Sequence, residues 1–95
     1  MKIAIASKGK TEDSEISEIG GRAPYYLVFE GKKRVKVLPN PFKSGGGAGY
    51  SVAKMLLNEK VDLVICGRFG DVLSGVLKDN KIKTKTASGK VNEAL

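Results

Sequence analysis

Apolar residues fall into short runs separated by glycine- and lysine-rich stretches, a pattern typical of a small α/β domain. Near-continuous apolar runs occupy residues 2–7 (KIAIAS) and 61–66 (VDLVIC). Runs of this length are too short for helices, and they lack the alternation of a half-exposed strand. They therefore predict two strands that are buried on both faces at the centre of a sheet.

Three further segments carry the signals of β-strands. Residues 25–30 (YYLVFE) are rich in aromatic and β-branched side chains. Residues 34–38 (RVKVL) alternate polar with apolar and, across a glycine-containing turn at 31–33, complete a β-hairpin. Residues 82–86 alternate β-branched residues with lysine. Basic residues on outer strands guard their open edges against aggregation, so the last two segments are predicted to be edge strands.

Two stretches place apolar residues at helical spacing. The helix predicted over 48–58 buries Ala48, Val52, Met55 and Leu56. The second helix, with Asp71 as its predicted N-cap, buries Val72, Leu73, Val76 and Leu77. Two smaller elements are also expected, a single turn at 14–18 and a short final helix at 89–95.

Placing the two most apolar strands side by side yields a five-stranded mixed sheet of order 3-2-1-4-5, in which only strand 2 is antiparallel. Helices are expected on both faces, which makes a three-layer α/β/α domain. The 95 residues show no internal repeat and no linker, so residues 1–95 are interpreted as one domain.

Composition excludes several chemistries. The chain has no histidine and a single cysteine, Cys66, so it has neither an internal disulfide nor a zinc site closed by Cys and His. A Ser-His or Cys-His nucleophile is excluded because the base is missing. No apolar run is long enough to span a bilayer, and no targeting segment is recognisable, so a cytoplasmic protein is expected.

The net charge of +7 has two interpretations. It is compatible with nucleic-acid binding, in which lysine and arginine neutralise phosphates. The alternative is a lysine-rich surface that serves solubility. The second interpretation is favoured, because the basic residues are scattered or lie at turns and no aromatic platform accompanies them.

Ligands of open α/β sheets bind beyond the carboxyl ends of the strands, here near the gap between strands 1 and 4. Two of the segments expected there, residues 44–49 and 67–70, lead into helices, and the free N–H groups at a helix start favour anions. An anionic ligand is therefore expected, with Lys8, Arg22, Lys43 and Arg68 adding positive charge. Because residues 45–49 (GGGAG) lack the Lys-Ser/Thr of a P-loop, the motif alone favours a merely flexible loop over a phosphate cradle. The candidate binding residues are Ser7, Gly9, Arg22, Gly46, Gly47, Ala48, Gly49, Gly67, Arg68 and Gly70.

Cys66 also has two interpretations. A lone cysteine at the end of a buried strand is usually a small core residue. Alternatively it is a thiolate ligand to metal, with its pKa lowered by the nearby helix start. The carboxylates do not converge at the ends of strands, and Asp62 lies at the beginning of its strand, so two-metal nuclease chemistry is not indicated.

Several motifs occur together in a recognisable order. They are MKIAIAS at 1–7, Asp13-Ser14, Ile16-Ser17, Gly21-Arg22-Ala23-Pro24-Tyr25-Tyr26, GGAG at 46–49, and VDLVICG at 61–67 followed by Gly70. The series resembles the dinitrogenase iron–molybdenum cofactor biosynthesis family, which includes NifX-like domains and the domain at the end of NifB. The resemblance extends over nearly the whole chain.

The resemblance implies a ribonuclease-H-like fold with the sheet order given above. It also implies a non-enzymatic binding or carrier protein for an anionic metallocofactor, such as an iron–molybdenum or iron–sulfur cluster, with cluster-assembly proteins as partners. Three departures stand out: no phenylalanine precedes Gly20-Gly21-Arg22, histidine is absent, and Arg68-Phe69 occurs where small residues are commoner. Cys66 is then the only soft metal ligand. A nucleic-acid-associated basic domain and a phosphate-ligand-binding domain remain the alternatives.

Overall fold

The computed structural model describes residues 1–42 and 47–95, and in it five strands form one mixed sheet of order β3-β2-β1-β4-β5. The strands are β1 (Lys2–Ser7), β2 (Tyr25–Glu30), β3 (Lys33–Pro39), β4 (Leu63–Cys66) and β5 (Lys83–Thr86). The helices are α1 (Ala48–Asn58) and α2 (Asp71–Asp79), with 3-10 turns at Gly20–Arg22 and Val91–Ala94. Only β2 runs against the other strands, which confirms the predicted sheet order and strand directions.

The strand β1 lies at the centre, between β2 and β4, and its residues Ala4, Ile5 and Ala6 are fully buried. Its continuous apolar run fits this place because a central strand is covered on both faces. The β2–β3 hairpin turns through Gly31 and Lys32. Gly31 has a φ of 61°, as primed hairpin turns require.

Both α-helices lie on one face of the sheet. Val52 and Leu56 of α1 and Leu73 and Leu77 of α2 share one apolar cluster with Ala4 and other residues of the sheet. The expectation of α-helices on both faces is therefore wrong. The reason is handedness: the crossovers β3–α1–β4 and β4–α2–β5 advance across the sheet in the same direction, and right-handed crossovers with the same direction lie on the same face.

The third layer consists of an irregular segment and a 3-10 turn. Ile16 and Val91 cover Ile5, Leu27 and Ile65 on the second face. The single turn predicted at 14–18 is wrong, because this segment is extended and forms bridges from Ile16 to Ser7 and from Glu15 to Lys90. The final helix predicted at 89–95 is only the 3-10 turn Val91–Ala94.

The start of α2 differs by one residue from the prediction. Gly70 occupies the N-cap position, and Asp71 is the first helical residue, where its carboxylate still complements the helix dipole. Val72, predicted to be buried, is 56% exposed, because the side of α2 that packs on the sheet is defined by Leu73 and Leu77. Among the described residues, no helix is long and apolar enough to cross a membrane.

Candidate functional site

The starts of α1 and α2 lie side by side and, with the first 3-10 turn, enclose a cleft of about 320 Å³. We call it the helix-start cleft. Its lining residues are Ile19, Gly21, Arg22, Gly47, Ala48, Gly49, Tyr50, Gly70, Asp71, Val72 and Leu73. It brings together five of the candidate residues: Arg22, Gly47, Ala48, Gly49 and Gly70.

Small residues allow the three segments around this cleft to approach closely. A Cβ added to Gly49 would lie 3.3 Å from the backbone nitrogen of Leu73, and one added to Gly21 would lie 3.5 Å from the nitrogen of Gly49. These contacts are near or below the ordinary van der Waals limit. A larger side chain at position 49 would therefore push the two helix starts apart.

Among the described residues, no side chain caps the start of α1 or α2. The N-cap of α1 is Gly47, in a left-handed conformation with a φ of 76°, and the N-cap of α2 is Gly70. Uncapped first turns leave N–H groups available and carry a partial positive charge, so an anion is stabilised where they meet. Of the charged side chains that line the cleft, Arg22 reinforces this potential and Asp71 opposes it.

Apolar side chains form much of the wall of the helix-start cleft. Tyr50 is 53% exposed, Val72 is 56% exposed and Ile19 is 40% exposed. This apolar wall was not predicted from the sequence. Tyr50 alone indicated it in the sequence, because it is an aromatic residue outside the apolar stripe that α1 buries.

The other candidate residues of the loop after β4 line a second cleft, of about 520 Å³. We call it the strand-end cleft, and its lining residues are Glu18, Ile19, Gly67, Arg68, Thr86, Ala87 and Ser88. Ile19 lines both clefts and separates them. Gly67 and Arg68 therefore open toward a different space from Gly47 and Gly49.

Ser7 and Gly9 hydrogen-bond to each other within their own loop. Ser7 is fully buried, and its Oγ donates to the carbonyl of Gly9 at 2.7 Å and accepts from the Gly9 nitrogen at 3.2 Å. The nitrogen of Lys8 donates to the carbonyl of Glu15 at 2.9 Å, which ties the loop to the next segment. Two further predicted residues, Lys43 and Gly46, lie outside the described residues.

Cys66 lies in the core beneath the helix-start cleft and does not line its surface. It is fully buried, and its Sγ donates to the carbonyl of Arg68 at 3.3 Å. Burial raises the pKa of the Cys66 thiol to about 11, an effect that hydrogen bonds with the backbone of Arg68 and Gly20 only partly offset. The expectation that the helix start lowers this pKa is therefore wrong, because loss of solvation dominates. Within residues 1–42 and 47–95, no group of three or more Cys, Asp or Glu side chains is placed to hold a metal ion.

Tyr26 supports the cleft from below. Its phenol is fully buried and donates to the carbonyl of Gly20 at 2.7 Å, which fixes the start of the 3-10 turn on β2. Burial, and secondarily the nearby Cys66, raises the pKa of Tyr26, so the phenol keeps its proton. The bond thereby holds Gly21 and Arg22 in place at the cleft.

A family model described as dinitrogenase iron-molybdenum cofactor matches residues 1–95. The chain belongs to this family. Two similar solved structures are the apo form of the orange protein from Desulfovibrio gigas and a putative NifB protein from Thermotoga. The first is 21% identical over 98% of this chain and 82% of that chain, with a TM-score of 0.89, and its likeness shows the fold.

The Thermotoga protein is 27% identical over 98% of this chain and 82% of that chain, with a TM-score of 0.80. No protein of curated function matches the chain. The resemblance inferred from the motifs is thus confirmed at the level of family and fold.

Proposed function

We propose that this chain is a non-enzymatic binding or carrier protein whose cargo is an anionic metallocofactor or an iron–sulfur-type cluster. The observation that carries the proposal is membership of the dinitrogenase iron-molybdenum cofactor family over the full 95 residues. The cluster is cargo that arrives and leaves, and the chain supplies a surface that holds it. Proteins that assemble or receive such clusters are the expected partners.

The helix-start cleft is the proposed cargo site. Its uncapped first turns favour negative charge, and Arg22 adds a cation at its wall. Its volume of about 320 Å³ lies at the lower end of the range for small-ligand sites, roughly 300 to 1,000 Å³, which favours a compact cargo. The apolar side chains of Tyr50 and Val72 give such a cargo a surface to pack against.

Binding is proposed to use the periphery of the cluster rather than bonds from protein side chains to its metals. Among the described residues that line the cleft, Asp71 is the one carboxylate, and no cysteine is present. Cys66 is buried, and with a pKa of about 11 it stays a neutral thiol near pH 7. Anionic sulfides or organic ligands on the cluster would instead accept hydrogen bonds from the first-turn N–H groups of α1 and α2.

An anaerobic absorption titration of the purified protein with an iron–sulfur or iron–molybdenum cluster tests the proposal. The informative variant is Val72→Glu, which places a carboxylate in the exposed first turn of α2. A negative charge at a helix start stabilises the fold, yet here it repels an anionic cargo. The matched control is Gly75→Glu, which adds the same charge one turn further along the same helix, at an exposed position with open space around it.

We expect saturable binding by wild type and Gly75→Glu, binding weakened roughly tenfold or more by Val72→Glu, and unchanged binding by Cys66→Ala. Loss of binding in Cys66→Ala with full binding in Val72→Glu would instead place a metal–thiolate bond at the centre of the site. Absence of cluster binding in wild type, together with thermal stabilisation by phosphate esters, would replace the cluster with a phosphate-bearing ligand in the same cleft.

A further inference from the structure

The two edges of the sheet differ in how their positive charges are balanced. On the β3 edge, Arg34 pairs with Glu12 at 2.9 Å and Lys36 pairs with Glu59 at 2.8 Å. On the β5 edge, the strand and the residues that lead into it, 78–86, carry four lysines against one carboxylate, Asp79. Across the described parts of the chain, none of those four lysines forms an ion pair. The β5 edge is therefore an uncompensated basic surface.

The backbone of β5 is also open on its outer side. Lys83 and Ala87 donate their N–H groups inward, to the carbonyls of Asp62 and Cys66. Because alternate residues of a parallel strand bond to opposite sides, the N–H and C=O groups of Thr84 and Thr86 face away from β4. All four residues of the strand are exposed. The edge thus presents unused donors and acceptors in the pattern of a strand.

From the lysines without ion pairs and the outward-facing backbone groups of this strand, we propose that the β5 edge binds an acidic polypeptide segment. The segment adds to the sheet as a sixth strand. Lys83 and Lys85 pair with Leu63 and Ile65 in the register, so their side chains emerge on one face, about 6.6 Å apart. An extended peptide with carboxylates at every second residue repeats that spacing. Lys78 and Lys81, which flank the strand, extend the positive field beyond its start.

A polypeptide fits this edge better than a nucleic acid does. The outward groups of Thr84 and Thr86 are satisfied by another peptide backbone, as in other cases of strand addition. The exposed large apolar and aromatic residues that the structure describes all lie outside 78–86, so bases find no stacking platform here. The lysines also prevent pairing between copies of this chain, which leaves the edge selective for an acidic partner.

The test is binding of a synthetic peptide of alternating glutamate and valine, followed by calorimetry and by amide hydrogen exchange. We expect saturable binding, with added protection of the Thr84 and Thr86 amides. A peptide with every valine replaced by proline keeps every charge, but its fixed φ of about −65° and its missing N–H groups oppose strand pairing, so it should bind at least roughly tenfold more weakly. The double variant Lys83→Glu/Lys85→Glu should lose binding, whereas Lys32→Glu/Lys33→Glu, with the same charge change at the other edge, should retain most of it.

Three results would overturn the proposal. The first is no binding of the acidic peptide at low salt, which would leave the lysines only a protective role. The second is equal binding of the proline-containing peptide, which would mean that charge alone attracts the peptide. The third is tighter binding of a single-stranded oligonucleotide at Lys83 and Lys85 than of the peptide, which would make the edge a nucleic-acid surface.

Discussion

Gly67 and Gly70 lie three residues apart in the loop between β4 and α2, yet their surroundings are opposite. A Cβ on Gly67 would lie 2.7 Å from the Cα of Glu18 and 2.8 Å from its carbonyl oxygen. A Cβ on Gly70 would meet nothing within 4 Å. The first end of the loop is pressed against another backbone segment, and the second end faces the open helix-start cleft.

This difference shows that a glycine-rich loop can serve two separate purposes. At Gly67 the missing side chain lets segment 17–20 join the loop, through bonds from the Gly67 nitrogen to Ser17 and from the Gly20 nitrogen to Arg68. At Gly70 the missing side chain leaves space over the start of α2. Both glycines were predicted to be binding residues, and only Gly70 lies at the proposed site.

The largest expected effect comes from Gly67→Ala compared with Gly70→Ala. The first variant forces a methyl group into rigid backbone, so its free energy of unfolding should fall by roughly 3 kcal/mol. The second adds a methyl group in open space at a φ of −72°, which alanine adopts readily, so only the weaker preference for alanine at an N-cap remains and the loss should stay within about 1 kcal/mol. Chemical denaturation of both proteins measures this. Equal losses in the two variants would contradict the difference between the two ends of the loop.

A smaller effect should appear in the pH dependence of the free energy of unfolding, through Cys66 at the packed end of the loop. The pKa of Cys66 rises from 9.0 to about 11 in the folded chain, so above pH 9 the unfolded chain releases a proton that the folded chain keeps. Stability is therefore full below pH 9 and falls as the pH rises toward 11, with a contribution on the order of 2 kcal/mol. In Cys66→Ala the decline across this window should be smaller by that amount. Parallel declines in the two proteins would show that the thiol ionises freely in the fold.

The smallest effect concerns Tyr26, whose hydrogen bond to Gly20 supports the helix-start cleft from below. Tyr26→Phe removes the buried bond from the phenol to Gly20 while preserving the ring, and should lower the free energy of unfolding by about 1 kcal/mol. Tyr25→Phe, which changes a half-buried neighbour, serves as the control. Tyr26→Phe should also weaken cargo binding, since Gly21 and Arg22 lose their anchor. Unchanged stability would mean that the 3-10 turn does not depend on this bond.

The local sequence pattern was sufficient to predict the strand order of the sheet and the positions of the two α-helices along the chain. The uninterrupted apolar run of β1 predicted its central position, and the helical spacing of Val52 and Leu56 predicted α1 within its observed bounds. Sheet order followed from placing the two most apolar strands together, with the short hairpin beyond the first of them. The handedness of the crossovers, which places both α-helices on one face, did not enter the prediction of helices on both faces.

The site was predicted less completely because it depends on contacts between distant segments. The bond from Gly20 to Arg68 and the close approach of Gly49 to Leu73 join parts of the chain that lie 24 or more residues apart. No local pattern shows that Ile19 separates two clefts, or that Ser7 satisfies its own loop. Burial of Cys66 was foreseen, but the raised pKa depends on how fully neighbouring segments exclude water from the thiol.

The most direct measurement is the position at which a bound paramagnetic cluster broadens the amide resonances of the protein. If the cargo occupies the helix-start cleft, the amides of Gly49, Gly70 and Val72 should broaden first as an iron–sulfur cluster is added. The amides of Ser7 and Gly9 should remain sharp at the same occupancy. Broadening that begins at Ser7 and Gly9, or at Thr86 and Ser88 in the strand-end cleft, would contradict the proposed site.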